Sequence, residues 1–151
     1  MTKIIHPVAG ALALATLLFF WLSTVASEIF GDIVEVQQTK HMILWGLTIL
    51  VPLLAIAGGS GQFLARGSRS PAIARKRTIM KYAALNGLVV LVPCAFVLDR
   101  LAQAEDFGIV FGIVQAVEIL AGATNAILLS INMKAGLTLA GRLKSRRAGA
   151  A

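Results

Sequence analysis

The chain is poor in the residues that most enzymes bring to a site. Its 151 residues include one cysteine, one tyrosine, two histidines and two tryptophans. The lone Cys94 excludes an internal disulfide and offers no metal-ligand spacing; beside Pro93 within an apolar run, it reads as a packing residue. Acids are scarce as well, seven against fourteen lysines and arginines. No phosphate loop, nucleophile elbow, zinc site or nucleic-acid reader occurs, so any enzymatic activity would belong to a bound cofactor. The net charge of +7 does not indicate nucleic acid, because the basic residues lack interleaved aromatics. Anionic lipid headgroups are the partner expected for them.

What the chain has in abundance is uncharged sequence. Four runs dominate, residues 4–27, 41–65, 82–98 and 107–133, the last broken only by Glu118. Their lengths of 24, 25, 17 and 27 residues compare with the roughly 20 apolar residues a helix needs to cross the hydrocarbon. A content of 58% hydrophobic and 14% charged residues excludes an ordinary soluble domain. No run alternates with period two, which excludes a membrane barrel. The fold class expected is an all-α integral membrane protein. It forms a single four-transmembrane-helix bundle over residues 1–151, with spans near 5–27, 41–65, 81–98 and 107–133. Lys3 and Thr24-Val25-Ala26 faintly imitate a signal peptide, but the first run is longer than a usual signal core and is expected to be a retained span.

The charges sort by side. Lys3, Arg66, Arg69, Arg75, Lys76, Arg77, Lys81, Lys134, Arg142, Lys144, Arg146 and Arg147 fall on one set of connections. Glu28, Asp32, Glu35, Asp99, Glu105 and Asp106 fall on the other, with only Lys40 and Arg100 as cations among them. The positive-inside rule then puts both termini in the cytoplasm, and a bacterial inner membrane is the expected location. Residues 28–40 read as helix, either lying at the outer interface or extending a span beyond it. The tail 134–147 mixes Leu137, Leu139 and Leu143 with basic residues, as an amphipathic C-terminal segment lying on the surface would. Residues 40–52 and 81–93 agree at seven of thirteen positions on spans that run oppositely, a pattern that an inverted repeat or chance similarity of Leu/Val-rich helices produces. Each stretch ends in a proline, Pro52 or Pro93, where a kink is expected.

A few polar residues interrupt the apolar runs. Glu118, Asn125 and Asn132 are seven apart, so they share one helix face to within about 20° per heptad. Gln115 flanks them, and Asn86 lies at a compatible depth on the third span. These five residues form a polar seam directed into the bundle, suited to interhelical hydrogen bonds or to a proton path. Within the apolar runs no lysine or arginine stands near Glu118. It is therefore expected to be neutral, or paired to Gln115 or to a neighbouring subunit, and is a candidate proton carrier.

His6 and His41 are the candidate cofactor ligands. Each stands at the threshold of a span, and neutral imidazole is a standard axial ligand of haem iron. Fully crossing spans would separate the rings by about 30 Å, so they cannot hold the same iron. One haem b near each face would result, with Met80 or Met133 as a possible sixth ligand on the inner side. Trp21 and Trp45 read as belt or packing residues.

In outline the chain resembles small four-span b-type cytochromes, such as haem-bearing membrane anchors of respiratory dehydrogenases. The resemblance rests on four spans, few histidines and no soluble domain, and it implies electron transfer, with quinol as a possible donor. The alternative is a non-enzymatic transporter-like or accessory membrane subunit that uses the polar seam. Gly108, Gly112 and Ala116 make a small-residue face that suits a homodimer.

Overall fold

Asp32 starts the second of the long helices with a full capping box. Its side chain accepts from the Glu35 amide at 2.8 Å, while its own amide donates to the Glu35 carboxylate at 3.2 Å. The preceding helix α1 (Thr2–Phe30) ends one residue short of that cap, so only Gly31 and Asp32 separate it from α2 (Ile33–Leu64). Residues 33–40 are thus the first turns of the long helix α2, and no separate short helix forms between α1 and α2.

The computed structural model describes the backbone of residues 2–68 and 70–148, and side-chain environments over 4–68 and 70–141. All of its regular structure is helical. After a turn in which Gly67 takes a positive φ of 76°, Pro71 opens α3 (Pro71–Asn86). A π turn (Gly87–Leu91) joins α3 to α4 (Val92–Gln103) without a break, and the last helix is α5 (Ile109–Ala148). The expected third span, the shortest, is therefore part of a 33-residue helical stretch, Pro71–Gln103. Four helical stretches are long and apolar enough to cross a membrane.

The π turn has a local cause. Pro93 has no amide to donate and its ring crowds the carbonyl four residues back. In the wider turn just before it, the Val92 amide reaches Gly87 O, five residues away. Pro52 lies on the exposed side of α2, which passes it as continuous α-helix. The two similar stretches also differ at their first residue, Lys40 being buried and Lys81 exposed. The similarity extends neither to the backbone nor to the environment.

The helices pack in a square. Going round, α1 meets α2, α2 meets α4, α3 and α4 meet α5, and α5 returns to α1. Among the described residues the diagonal pairs, α2 with α5 and α1 with the third stretch, make no close backbone approach. Leu17, Phe20, Ile43, Leu50, Ala126 and Leu129 form the main core, and Val36, Leu98, Ala102 and Phe111 a second one toward the acidic loops. Gly46 lets α1 and α2 close up, because a Cβ there would enter the Phe20 ring.

The tail is not a separate element. Residues 134–147 continue α5 without interruption, so the segment read as a surface-lying helix is the end of that helix and not an element of its own. The side chains of Lys3, Arg69, Arg142, Leu143, Lys144, Arg146 and Arg147 lie outside the described residues.

Candidate functional site

Lys40 is the most unexpected side chain in the bundle. It stands two turns into α2 and is 1% exposed. Its stem crosses the diagonal of the square, where no backbone pair is close, and its Nζ lies 3.1 Å from Glu118 Oε2 on α5. Two groups of α1 complete its surroundings, Thr24 Oγ1 at 3.3 Å and Glu28 Oε1 at 3.5 Å. Three helices are thereby tied to one nitrogen.

This corrects the reading of Glu118 as an acid without a cation. Lys40 follows an acidic segment and looks like a loop residue, but the capping box starts the helix early enough to bring it inside. The extended lysine stem then covers the distance. Gln115 is buried alongside and donates from Nε2 to the same Glu118 oxygen at 3.2 Å. Its own Oε1 is buried without a hydrogen-bond partner among the described residues, as is Glu28 Oε1. The cluster holds two carboxylates to one ammonium.

A narrow cavity of about 50 Å³ lies beneath the cluster, with Glu118 and Thr24 at its polar end. Trp21, Leu47, Leu91 and Gly122 are among its apolar walls. Trp21 is seated there because Gly122 lacks a Cβ, which would come within 2.7 Å of the indole. The indole nitrogen donates to Ile119 O at 2.9 Å.

The remaining seam residues are drawn inward but not into one network. Asn86 donates to Ala121 O at 2.9 Å, tying the third stretch to α5. Asn125 is 2% exposed, with its Nδ2 against the missing Cβ of Gly87 and its Oδ1 without a hydrogen-bond partner among the described residues. Asn132 is half-buried and donates to Met80 Sδ at 3.4 Å. Nothing on this face links Asn132 to Glu118 by hydrogen bonds among the described residues.

The histidines occupy opposite ends. His6 is half-buried against Gly61, where a Cβ would stand 2.9 Å from the ring, and its Nδ1 lies 3.0 Å from Ala57 O and 3.2 Å from Ser60 Oγ. His41 faces outward, and both its nitrogens are engaged. Nδ1 lies 3.2 Å from Asp99 Oδ1, and Nε2 accepts from Trp45 Nε1 at 3.0 Å. Those contacts fit the neutral tautomer protonated at Nδ1. Along α2, sixteen residues from Ala57 to His41 put the two ring levels about 24 Å apart. Of the candidate sixth ligands, Met80 is engaged by Asn132 and Met133 is exposed. Among the described residues no three His, Cys, Asp or Glu side chains gather around a point suited to a metal ion.

Sequence reasoning missed Thr24, Glu28 and Asp99 as parts of these clusters. The only available signal was that Lys40 and Arg100 are the sole cations on the acidic side, which left Lys40 as the one able to reach inward from α2. Compared with family models, curated proteins and solved structures, the chain has no match.

Proposed function

We propose that the chain is a transporter-like integral protein of a bacterial inner membrane, with Lys40, Glu118 and Glu28 as its ionisable centre and with both termini cytoplasmic. The observation that carries this reading is the fully buried Lys40 reaching across the bundle to Glu118. Ions removed from water cost several kcal/mol each, and replacement of such a pair by apolar side chains is often stabilising. An intramembrane ionisable pair is therefore a functional feature first and a stabilising one second.

Insertion is supported by the outside of the bundle. Phe19, Trp45, Ile49, Val89, Phe96 and Leu120 are each more than half exposed. Only 17–28% of each helix's most apolar window is buried within the chain, which leaves an apolar exterior suited to lipid. The four stretches of 27–33 residues are about 40–50 Å long against a core of about 30 Å, so each overreaches the hydrocarbon. Glu118 stands nine residues into α5, about 14 Å from its start, within the outer part of the membrane. Exposed Arg66, Arg75, Arg77, Lys81 and Lys134 at the other end suit anionic headgroups. Gly108, Gly112 and Ala116 face outward, which is compatible with a homodimer.

The test is proton flux in liposomes under an imposed membrane potential, read by a trapped pH dye. Flux above that of empty vesicles, lost in Glu118→Gln, supports the reading. Equal flux in wild type and Glu118→Gln removes the residue from any mechanism.

A b-type haem reading is kept on one observation. A ring bonded through Nδ1 to a carbonyl, as His6 is to Ala57, presents Nε2 in the manner of a metal-ligating histidine. Bound there, a haem would supply one-electron chemistry, with quinol as a candidate donor. His41 fits less well, because its Nε2 is held by Trp45. A Soret band in purified protein, weakened by His6→Ala and little altered by His41→Ala, would support haem at the inner end; a preparation that takes up no haem would end this reading.

A further inference from the structure

The two acids of the Lys40 centre stand at different depths. Glu28 lies two residues from the end of α1, beside the acidic loops, and its side chain is 24% exposed. Glu118 lies about 14 Å below the start of α5, and its side chain is 11% exposed. The carboxylates make no hydrogen bond to each other among the described residues. Each meets the Lys40 ammonium instead, Glu28 Oε1 at 3.5 Å and Glu118 Oε2 at 3.1 Å, with Thr24 Oγ1 alongside at 3.3 Å. Past Glu118 the chain of ionisable groups stops. Apart from that acid, the residues lining the cavity beneath it carry no ionisable side chain, and buried Leu17, Phe20 and Leu50 are among them. One heptad further along α5, about 10 Å on, stands Asn125, which is neither acid nor base.

We infer that protons reach Glu118 from the end of the bundle that carries the acidic loops, with Glu28 as the residue that takes them up and Lys40 as their relay. Glu28 first gains a proton from water at that end. The Lys40 ammonium gives one of its protons to Glu118 Oε2, an N–H bond breaking as an O–H bond forms. The neutral amine then takes the proton of Glu28, whose oxygen must close in by a few tenths of an ångström to share it. Lys40 is again an ammonium and Glu28 again a carboxylate, and the net change is one proton moved from water to Glu118. That proton brings two carboxylates and one ammonium to neutrality, the state burial favours. A lysine suits this role because, unlike arginine, it can release a proton. Besides these three, the titratable group within electrostatic reach of Glu118 is the Cys94 thiol on α4, while His41 and Asp99 are paired with each other. The inference rests on the proposed ionisable centre and gives it a side and an order of entry.

Trp21 supplies a built-in probe, since it lines the cavity that ends at Glu118 and is one of two tryptophans in the chain. Full-length protein carrying Trp45→Phe is sealed into liposomes, and the external pH is stepped from mildly alkaline to mildly acidic in a stopped-flow mixer. The expected result is a fast change in Trp21 emission confined to molecules whose acidic loops face outward. That fraction is counted by labelling Ala104→Cys, in a Cys94→Ala background, with an impermeant thiol reagent. Glu118→Gln should abolish the change. Glu28→Asp keeps the charge but draws the carboxylate back by one methylene, and Lys40→Arg keeps the charge but cannot release a proton; each should slow the change roughly tenfold or more. A fast change in molecules of the opposite orientation, a change that survives Glu118→Gln, an undiminished rate in Glu28→Asp or Lys40→Arg, or no response to pH overturns the inference. Should the variants fail to fold, the sidedness of the Trp45→Phe protein decides. A sided response without proton flux would refute the transport reading and leave the order of entry; flux with an unsided response would do the reverse.

Discussion

Replacing Lys40 by methionine isolates the electrostatic content of the buried centre. Methionine fills most of the volume of the lysine stem, so the cavity term stays small. What is lost is the Nζ contact to Glu118 at 3.1 Å, to Thr24 at 3.3 Å and to Glu28 at 3.5 Å. Glu118 is then left among apolar walls with Gln115 as its remaining donor. Breaking a buried pair from one side costs about 3–5 kcal/mol. At about 1.4 kcal/mol per factor of ten, that lowers the folded-to-unfolded ratio by roughly two to three and a half powers of ten. Glu118→Leu alone should cost less, because the ammonium keeps Glu28 at 3.5 Å and Thr24 at 3.3 Å. The double variant should lose less than the two single changes added together, since only Glu28, whose side chain is 24% exposed, is then left without its cation. The assay is reversible unfolding in mixed micelles, followed by far-UV circular dichroism. A loss below about 1 kcal/mol for Lys40→Met, the range of exposed pairs, or strict additivity of the two changes, would refute the argument.

Four further outcomes follow from particular contacts. Gly46→Ala should destabilise by about 1–3 kcal/mol through collision with Phe20, whereas Gly59→Ala, with nothing within 4 Å, should be neutral or stabilise by up to about 1 kcal/mol; thermal unfolding of the pair checks both. Asp32→Ala removes the capping box and should cost about 0.5–2 kcal/mol, with a loss of amide protection confined to the first turn of α2. Gly122→Ala should displace the Trp21 indole and break its bond to Ile119 O, seen as a shift of Trp21 emission in a Trp45→Phe background; an unchanged spectrum counts against the seating of Trp21. In a Cys94→Ala background, cysteines at Ser68 and Ala104 should react with a membrane-impermeant thiol reagent from opposite sides of sealed spheroplasts, that at Ala104 from outside.

The number of helices and their apolar character were legible because both are one-dimensional properties. Run length against the thickness of a bilayer, and the absence of period-two alternation, need no knowledge of neighbours. Local chemistry was legible in part. Asp32 and Glu35 spell a capping box, but only the backbone decides whether the helix it opens is part of a span or lies apart from it. The π turn was not legible, since Pro52 and Pro93 end similar stretches and only one of them has such a turn before it.

The polar seam divides in the same way. Heptad spacing on α5 puts Glu118 and Asn125 on one face, and both are buried, because a single helix determines which of its own residues share a face. Pairing is a property of two helices. Lys40 and Glu118 are 78 positions apart, and their contact exists because α2 and α5 lie on a diagonal that a lysine stem can span. By itself the sequence determined four apolar helices, their charge asymmetry and the face of the last helix that carries its polar residues. Only the tertiary structure decided which charges meet, since burial of an ion pair depends on the distance between helix axes, a quantity that no stretch of a single helix contains.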